Sequence, residues 1–96
     1  MRRGRRVVAP HAVLHVLDRQ RDSPSRFGFV VGKAVGGAVT RNLVRRRLRS
    51  LCRESLTVIG PGHDVVVRAL PGSHEVPWAT LHAEIVDAID RGVKKR

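Results

Sequence analysis

The stretch Gly32-Lys33-Ala34-Val35-Gly36-Gly37-Ala38-Val39-Thr40-Arg41-Asn42-Leu43-Val44-Arg45-Arg46-Arg47-Leu48-Arg49 narrows the possible folds more than any other, because a glycine-rich turn runs straight into a helix dense in guanidinium groups. Wound at about 100° per residue, Val44, Leu48 and Leu51 fall in one narrow stripe, whereas Asn42, Arg45, Arg46, Arg49 and Arg53 fall in an arc of roughly 100° on the opposite side. Such a helix needs an apolar layer against one side only. The polar arc does nothing for the isolated chain, since close like charges on a helix cost a few tenths of a kcal/mol per pair. A polyanionic partner accounts for it. The helix is expected to begin near Ala38 or Thr40 and to reach about Ser55, because Gly60-Pro61-Gly62 ends anything helical before it.

The layer that receives this helix is read from the flanking segments. Val7-Val8-Ala9-Pro10 reads as an edge strand or a break, since proline removes a ladder donor. In the run His11 to Leu17, His11, Val13, His15 and Leu17 alternate with Ala12, Leu14 and Val16, which predicts a strand with one apolar face and one mixed face that is accessible or lines a cleft. Asp18 to Ser25 has the composition of a hairpin loop. Arg26 to Lys33 reads as the next strand, with Phe27, Phe29 and Val31 on one side and Gly28, Val30 and Gly32 on the other. The two glycines leave room for another backbone or a helix to approach. The phenylalanines are core residues, or one of them stacks on a base. Asp64 to Leu70 contains Val65-Val66-Val67, the continuous apolar run of a strand buried on both faces. After Pro71-Gly72, Pro77 suits the first turn of a last helix in which Trp78, Leu81, Ile85 and Ile89 recur at helical spacing and Asp87 can pair with Arg91.

With 96 residues the chain is long enough for one domain with a single core, and no second domain is expected. That domain is 1–96, with a basic arm at 1–6 and a basic tail at 92–96. Lys and Arg number 19 against 8 Asp and Glu, for a formal net charge of +11, while 42% of residues are hydrophobic, so a folded basic domain is predicted instead of a disordered cationic tail. Arginine outnumbers lysine, which suits forked hydrogen bonding to phosphate oxygens. One cysteine, Cys52, excludes an internal disulfide and reads as a small buried hydrophobe. The absence of an apolar run of about 18 residues and of a secretory pattern points to a cytoplasmic protein without a membrane partner.

Other motifs are weaker. Gly28-Phe29-Val30-Val31-Gly32-Lys33-Ala34 has one residue too few between its glycines for a nucleotide-phosphate loop and lacks the following Ser or Thr. His11 and His15 have the spacing of a helical zinc pair but lie in a strand pattern, so no protein-bound metal is expected. The carboxylates Asp64, Glu75, Glu84, Asp87 and Asp90 are scattered without a nucleophile, so no catalytic side chain is expected. A membrane-surface helix is disfavoured because the apolar stripe is needed for the core. A DNA reader is disfavoured because the arc offers only Asn42 to base edges. A structural RNA-binding protein, such as a small ribosomal protein, would share the charge and the fold.

The segment Gly36-Gly37-Ala38-Val39-Thr40-Arg41-Asn42-Leu43-Val44-Arg45-Arg46 resembles the signature of the bacterial ribonuclease P protein component, a Gly-Asn-Ala-Val turn followed by Arg-Asn, two residues and a basic pair. Arg26 to Lys33 and Asp64-Val65-Val66-Val67-Arg68 are similar to strands of that family, so the resemblance spans most of residues 5 to 90. It implies an α/β, α+β sandwich-like fold: a mixed sheet of about four strands packed against the basic helix and a C-terminal helix, with a left-handed βαβ crossover. It further implies maturation of transfer RNA, in which an RNA subunit with bound Mg2+ removes the 5′ leader of precursor tRNA while one protein per RNA assists. Lys33, Arg41, Asn42, Arg45, Arg46, Arg49 and Arg53 would then contact the catalytic RNA. The leader cleft would map to His15, Val13, Phe27 and Phe29. Two departures stand out. Gly37 replaces the signature asparagine, so a side-chain cap is lost. The family's N-terminal helix with its aromatic pair lies upstream of Met1 or is missing, in which case part of the leader platform and one cover of the sheet are missing with it.

Overall fold

The computed structural model describes residues 4–18 and 24–94. The elements run β1 (Gly4–Ala9), β2 (Ala12–Asp18), β3 (Arg26–Val30), α1 (Ala38–Ile59), β4 (His63–Ala69) and α2 (Trp78–Lys94). The sheet has the order β1-β2-β4-β3, antiparallel except for the parallel β3–β4 pair that α1 connects. β1 is an edge strand in this order, and Pro10-His11, outside the ladder, is the two-residue turn that opposes Ala9 to Ala12. The basic arm is shorter than expected because Gly4, Arg5 and Arg6 already pair with β2, and residues 1–3 lie outside the described residues.

Alternation decides which residues meet the helices. Val7, Ala9, Ala12, Leu14, Val16, Val65, Val67 and Ala69 share one face of the sheet and close a core with Val44, Leu48 and Leu51 of α1 and Leu81, Ile85, Ala88 and Ile89 of α2. Leu14, Leu51 and Val67 are 0% exposed. Both helices thus lie on a single side of the sheet. Their seam carries a second set of contacts, with the Arg47 guanidinium 5.8 Å from the Trp78 ring centre, Trp78 edge-on to His82, and His82 3.1 Å from Glu54.

Several expectations are corrected. Val66 is 37% exposed, so β4 is central yet buried on one face only, because both helices among the described residues pack on the face opposite Val66. β2 and β3 form no hairpin, since β4 enters between them; the link across 19–23 lies outside the described residues. β3 stops at Val30 instead of Lys33, where backbone turns from Val35 N–H to Gly32 and from Gly36 N–H to Lys33 take over. α1 continues past Ser55 to Ile59, since only Gly60, at φ +76°, breaks it. Ser25 then clips the chain, its hydroxyl donating to the Gly60 carbonyl at 2.6 Å and accepting from the His63 N–H at 2.9 Å. The expected tail at 92–96 is instead helix as far as Lys94, with Gly92 buried against β1 and β2; residues 95–96 lie outside the described residues.

Candidate nucleic-acid interface

Gly36 makes the entry to α1. At φ +157° it occupies backbone space few side chains adopt, and a Cβ there would lie 2.9 Å from Thr40 Cγ2. Gly37 is the extended N-cap and offers no side-chain cap, in keeping with the lost asparagine; its carbonyl accepts from the Arg41 N–H at 2.9 Å. From this start the helix buries Val44, Leu48 and Leu51 and turns Asn42, Arg46, Arg49 and Arg53 to solvent, with Arg45 at the margin. Arg45 donates to Asn42 Oδ1 at 3.1 Å, which orders the first two turns of the arc. Among the described residues, Arg46, Arg49 and Arg53 enter no ion pair or hydrogen bond. Their charge is uncompensated among the described residues. Lys33 is exposed in the preceding turn. Arg41 differs from the rest: it is half-buried, and its Nε is withdrawn from water without a partner among the described residues.

The expected leader residues do not converge. Pairing carries Phe27 and Phe29 to the face of Val65 and Val67, where both pack against the core, whereas His15 and Val13 lie on the opposite face with Val66 and Arg68. The sequence shows each strand's alternation but not which side of β3 matches which side of β2. That open face forms a grid, with Arg6, His15, Val66 and Gly28 in one row and Val8, Val13, Arg68 and Val30 in the next. His15 is exposed and Val13 is buried at 8%, apart from the main core. Nothing packs on Gly28, which is the reverse of the close approach its position suggested. Arg6 and Arg68 are exposed members of this face that the strand-by-strand reading missed. A signal existed, since Arg68 alternates in step with Val66, but its relation to His15 needs the register.

The other candidates resolve simply. His11 lies outside β2 and reaches Glu84 of α2, its Nδ1 3.0 and 3.2 Å from the two carboxylate oxygens, so it does not face the same way as His15. Among the described residues no three His, Cys, Asp or Glu side chains converge to hold a metal ion. Arg26 and Asp64 form a forked pair at 3.2 and 3.1 Å across β3 and β4, which holds the guanidinium charged more firmly than usual. Arg91 pairs with Asp87 at 2.9 Å, as their spacing predicts. No helix among the described residues is long and apolar enough to cross a membrane.

A sheet covered on one side, a helix presenting unpaired arginines and a net charge of +11 define a polyanion-binding α/β domain. Residues 1–92 match the Ribonuclease P family, and the chain belongs to it. It is 46% identical over 94 residues, covering 98% of this chain and 83% of the relative, to the ribonuclease P protein component of Clavibacter michiganensis. It is likewise 46% identical over 99 residues, covering 95% and 80%, to that of Streptomyces avermitilis. Among solved structures, the RNase P protein of Thermotoga maritima superposes with a TM-score of 0.81 at 27% identity over 92% of this chain and 85% of that one. The Staphylococcus aureus RNase P protein, at 19% identity and a TM-score of 0.80 over 95% and 84%, shares the fold. Membership makes the chain a protein subunit of the ribonucleoprotein that matures tRNA 5′ ends.

Proposed function

We propose that this subunit docks on the catalytic RNA through the α1 arc, with Arg45, Arg46, Arg49 and Arg53 on phosphates, Asn42 and Lys33 at the margin and Arg41 bracing the first turn. The observation that carries this reading is the row of outward guanidiniums that pair with no carboxylate among the described residues. Forked donors on successive turns match consecutive phosphate oxygens, and the aliphatic stripe behind them fixes the helix so that little order is lost on binding. The open sheet face, with His15 and Val13, takes the 5′ leader of precursor tRNA, while Phe27 and Phe29 serve the core behind it. Mg2+ belongs to the RNA, and the protein contributes no reacting group. One protein acts per RNA, in the cytoplasm.

Cleavage of precursor tRNA by the cognate RNA subunit at low magnesium, with and without the protein, tests this reading. Stimulation confined to that RNA is expected, whereas equal binding to any duplex would favour a general structural RNA-binding role. Replacing Arg45, Arg46 and Arg49 with alanine should flatten the dependence of log affinity on log salt by about 0.7–0.9 for each phosphate left unneutralised. An unchanged slope removes these residues from the interface.

A further inference from the structure

Around its axis α1 divides into sectors. The stripe of Val44, Leu48 and Leu51 is buried against the sheet, and the arc of Asn42, Arg45, Arg46, Arg49 and Arg53 is turned to RNA in the reading above. Arg47 and Glu54, two turns apart, fall on a flank about 75° from the centre of the stripe and about 135° from the centre of the arc. That flank meets α2. The Arg47 guanidinium lies 5.8 Å from the Trp78 ring centre, Trp78 stands edge-on to His82 at 5.4 Å, and His82 Nε2 returns to Glu54 Oε1 at 3.1 Å. Arg47 precedes Glu54 on α1 as Trp78 precedes His82 on α2, so the two helices run in the same direction. Trp78 is firmly placed, because the Pro77 carbonyl accepts from the Thr80 and Leu81 N–H groups at 3.0 and 3.1 Å and the indole packs against the core. Among the described residues Arg47 enters no ion pair or hydrogen bond, and it is half-buried where Arg46 and Arg49 are exposed.

We infer that Arg47 and Trp78 are positioning residues for RNA docking: the guanidinium laid against the indole fixes the roll of α1 about its axis, and Arg47 itself takes no phosphate. The inference rests on the reading of the arc as the docking surface and adds to it the device that aims the arc. A helix seated on a sheet by one stripe is held along a line, about which it can roll. A contact on the flank, away from that line, opposes the roll. A roll of about 10° carries a group 6 Å from the axis through about 1 Å, which is enough to misalign a forked hydrogen bond to phosphate. The second rung, His82 with Glu54, lies one turn further along α2 and buttresses the edge of the same ring. In the sequence Arg45-Arg46-Arg47 are three equivalent cations; the seam sets the third apart, on the α2 side and turned away from whatever the arc meets. The strength of a cation–π contact at a partly exposed site limits how far it biases α1, and the apparent affinity for a partner falls as the docking-ready orientation is depopulated.

The test measures affinity of the full chain for its cognate RNA subunit across a range of salt. R47M, which keeps a long apolar stem and loses the charge, and W78L should each weaken binding by about two- to fivefold. The double variant R47M/W78L should bind no more weakly than the worse single variant, because both remove one contact. W78F keeps a ring face for the cation and should recover most of the loss. The dependence of log affinity on log salt should keep its slope in R47M, since no phosphate contact is lost, whereas R46M should flatten it by about 0.7–0.9. Trp78 is the chain's one indole, so its emission should respond to R47M and not to R46M. R47M carries the test by itself if W78L does not fold. A slope in R47M that falls as much as in R46M, or a further loss from R47M in the W78L background, would overturn the inference by making Arg47 a phosphate ligand. Unchanged RNA affinity in R47M would overturn it too, leaving the contact a matter of stability alone. An unchanged slope in R46M would sink the docking reading first and take the positioning role with it.

Discussion

Cys52 illustrates how a single side chain takes its chemistry from its place. It sits beside the buried stripe of α1 at 4% exposure, and burial pushes its thiol up to about 12 from an ordinary value of 9.0. The folded protein keeps this proton where the unfolded chain releases it, so stability is unaffected by the group below about pH 9 and declines as pH rises from there toward 12. Urea unfolding between about pH 7 and 11 should show the decline, and Cys52→Ala should remove that component. Alkylation at neutral pH should require unfolding. At Gly36, alanine should destabilise by about 1–3 kcal/mol, because a positive φ and Thr40 both oppose a Cβ; thermal melting reads the loss. Much at this scale was legible in advance. Val44, Leu48 and Leu51 follow from helical periodicity and are 0–1% exposed. The core alternative holds for Phe27 and Phe29, but their separation from His15 and the half-burial of Arg41 were not legible, since a strand's two faces and a first turn's contacts depend on what lies alongside.

At the scale of elements, α2 binds the molecule more closely than its sequence suggests. Gly92 lets the last turn approach the sheet, where an added Cβ would lie 2.7 Å from Val16 Cγ2 and 3.3 Å from Val7 Cγ2. Both neighbours are stiff, β-branched and buried. Gly92→Ala gains about 1 kcal/mol of helix propensity and loses about 1–3 kcal/mol to overpacking, so a lowered melting temperature is expected where propensity alone predicts a rise. A Gly near a helix end and a lysine-rich terminus read as a tail in the sequence; packing makes them helix. The opposite face of the sheet was equally hidden. Val65-Val66-Val67 looks doubly buried, yet Val66 is exposed because both helices occupy the other side.

For the whole molecule the charges are polarised. α1 carries Arg41, Arg45, Arg46, Arg47, Arg49 and Arg53 against Glu54, while α2 carries Glu84, Asp87 and Asp90 against Arg91 and Lys94. On the proposed docking, RNA approaching from solution is drawn to α1, and α2 is left facing outward. Arginine modification of the complex should therefore protect Arg46 and Arg49 and leave Arg91 reactive. Protection of Arg91 equal to theirs would contradict this orientation. The amphipathic helix, the β character of the four strands, the basic surface and the family signature are properties of local pattern and composition, so the chain's letters alone determined them. Which strand faces share a side, that both helices gather on one of them, and that Arg6 and Arg68 stand together on the other were decided only by tertiary structure. The physical reason is that alternation within a strand is local, whereas register and the choice of covered face are set by long-range pairing of β4 with both β2 and β3.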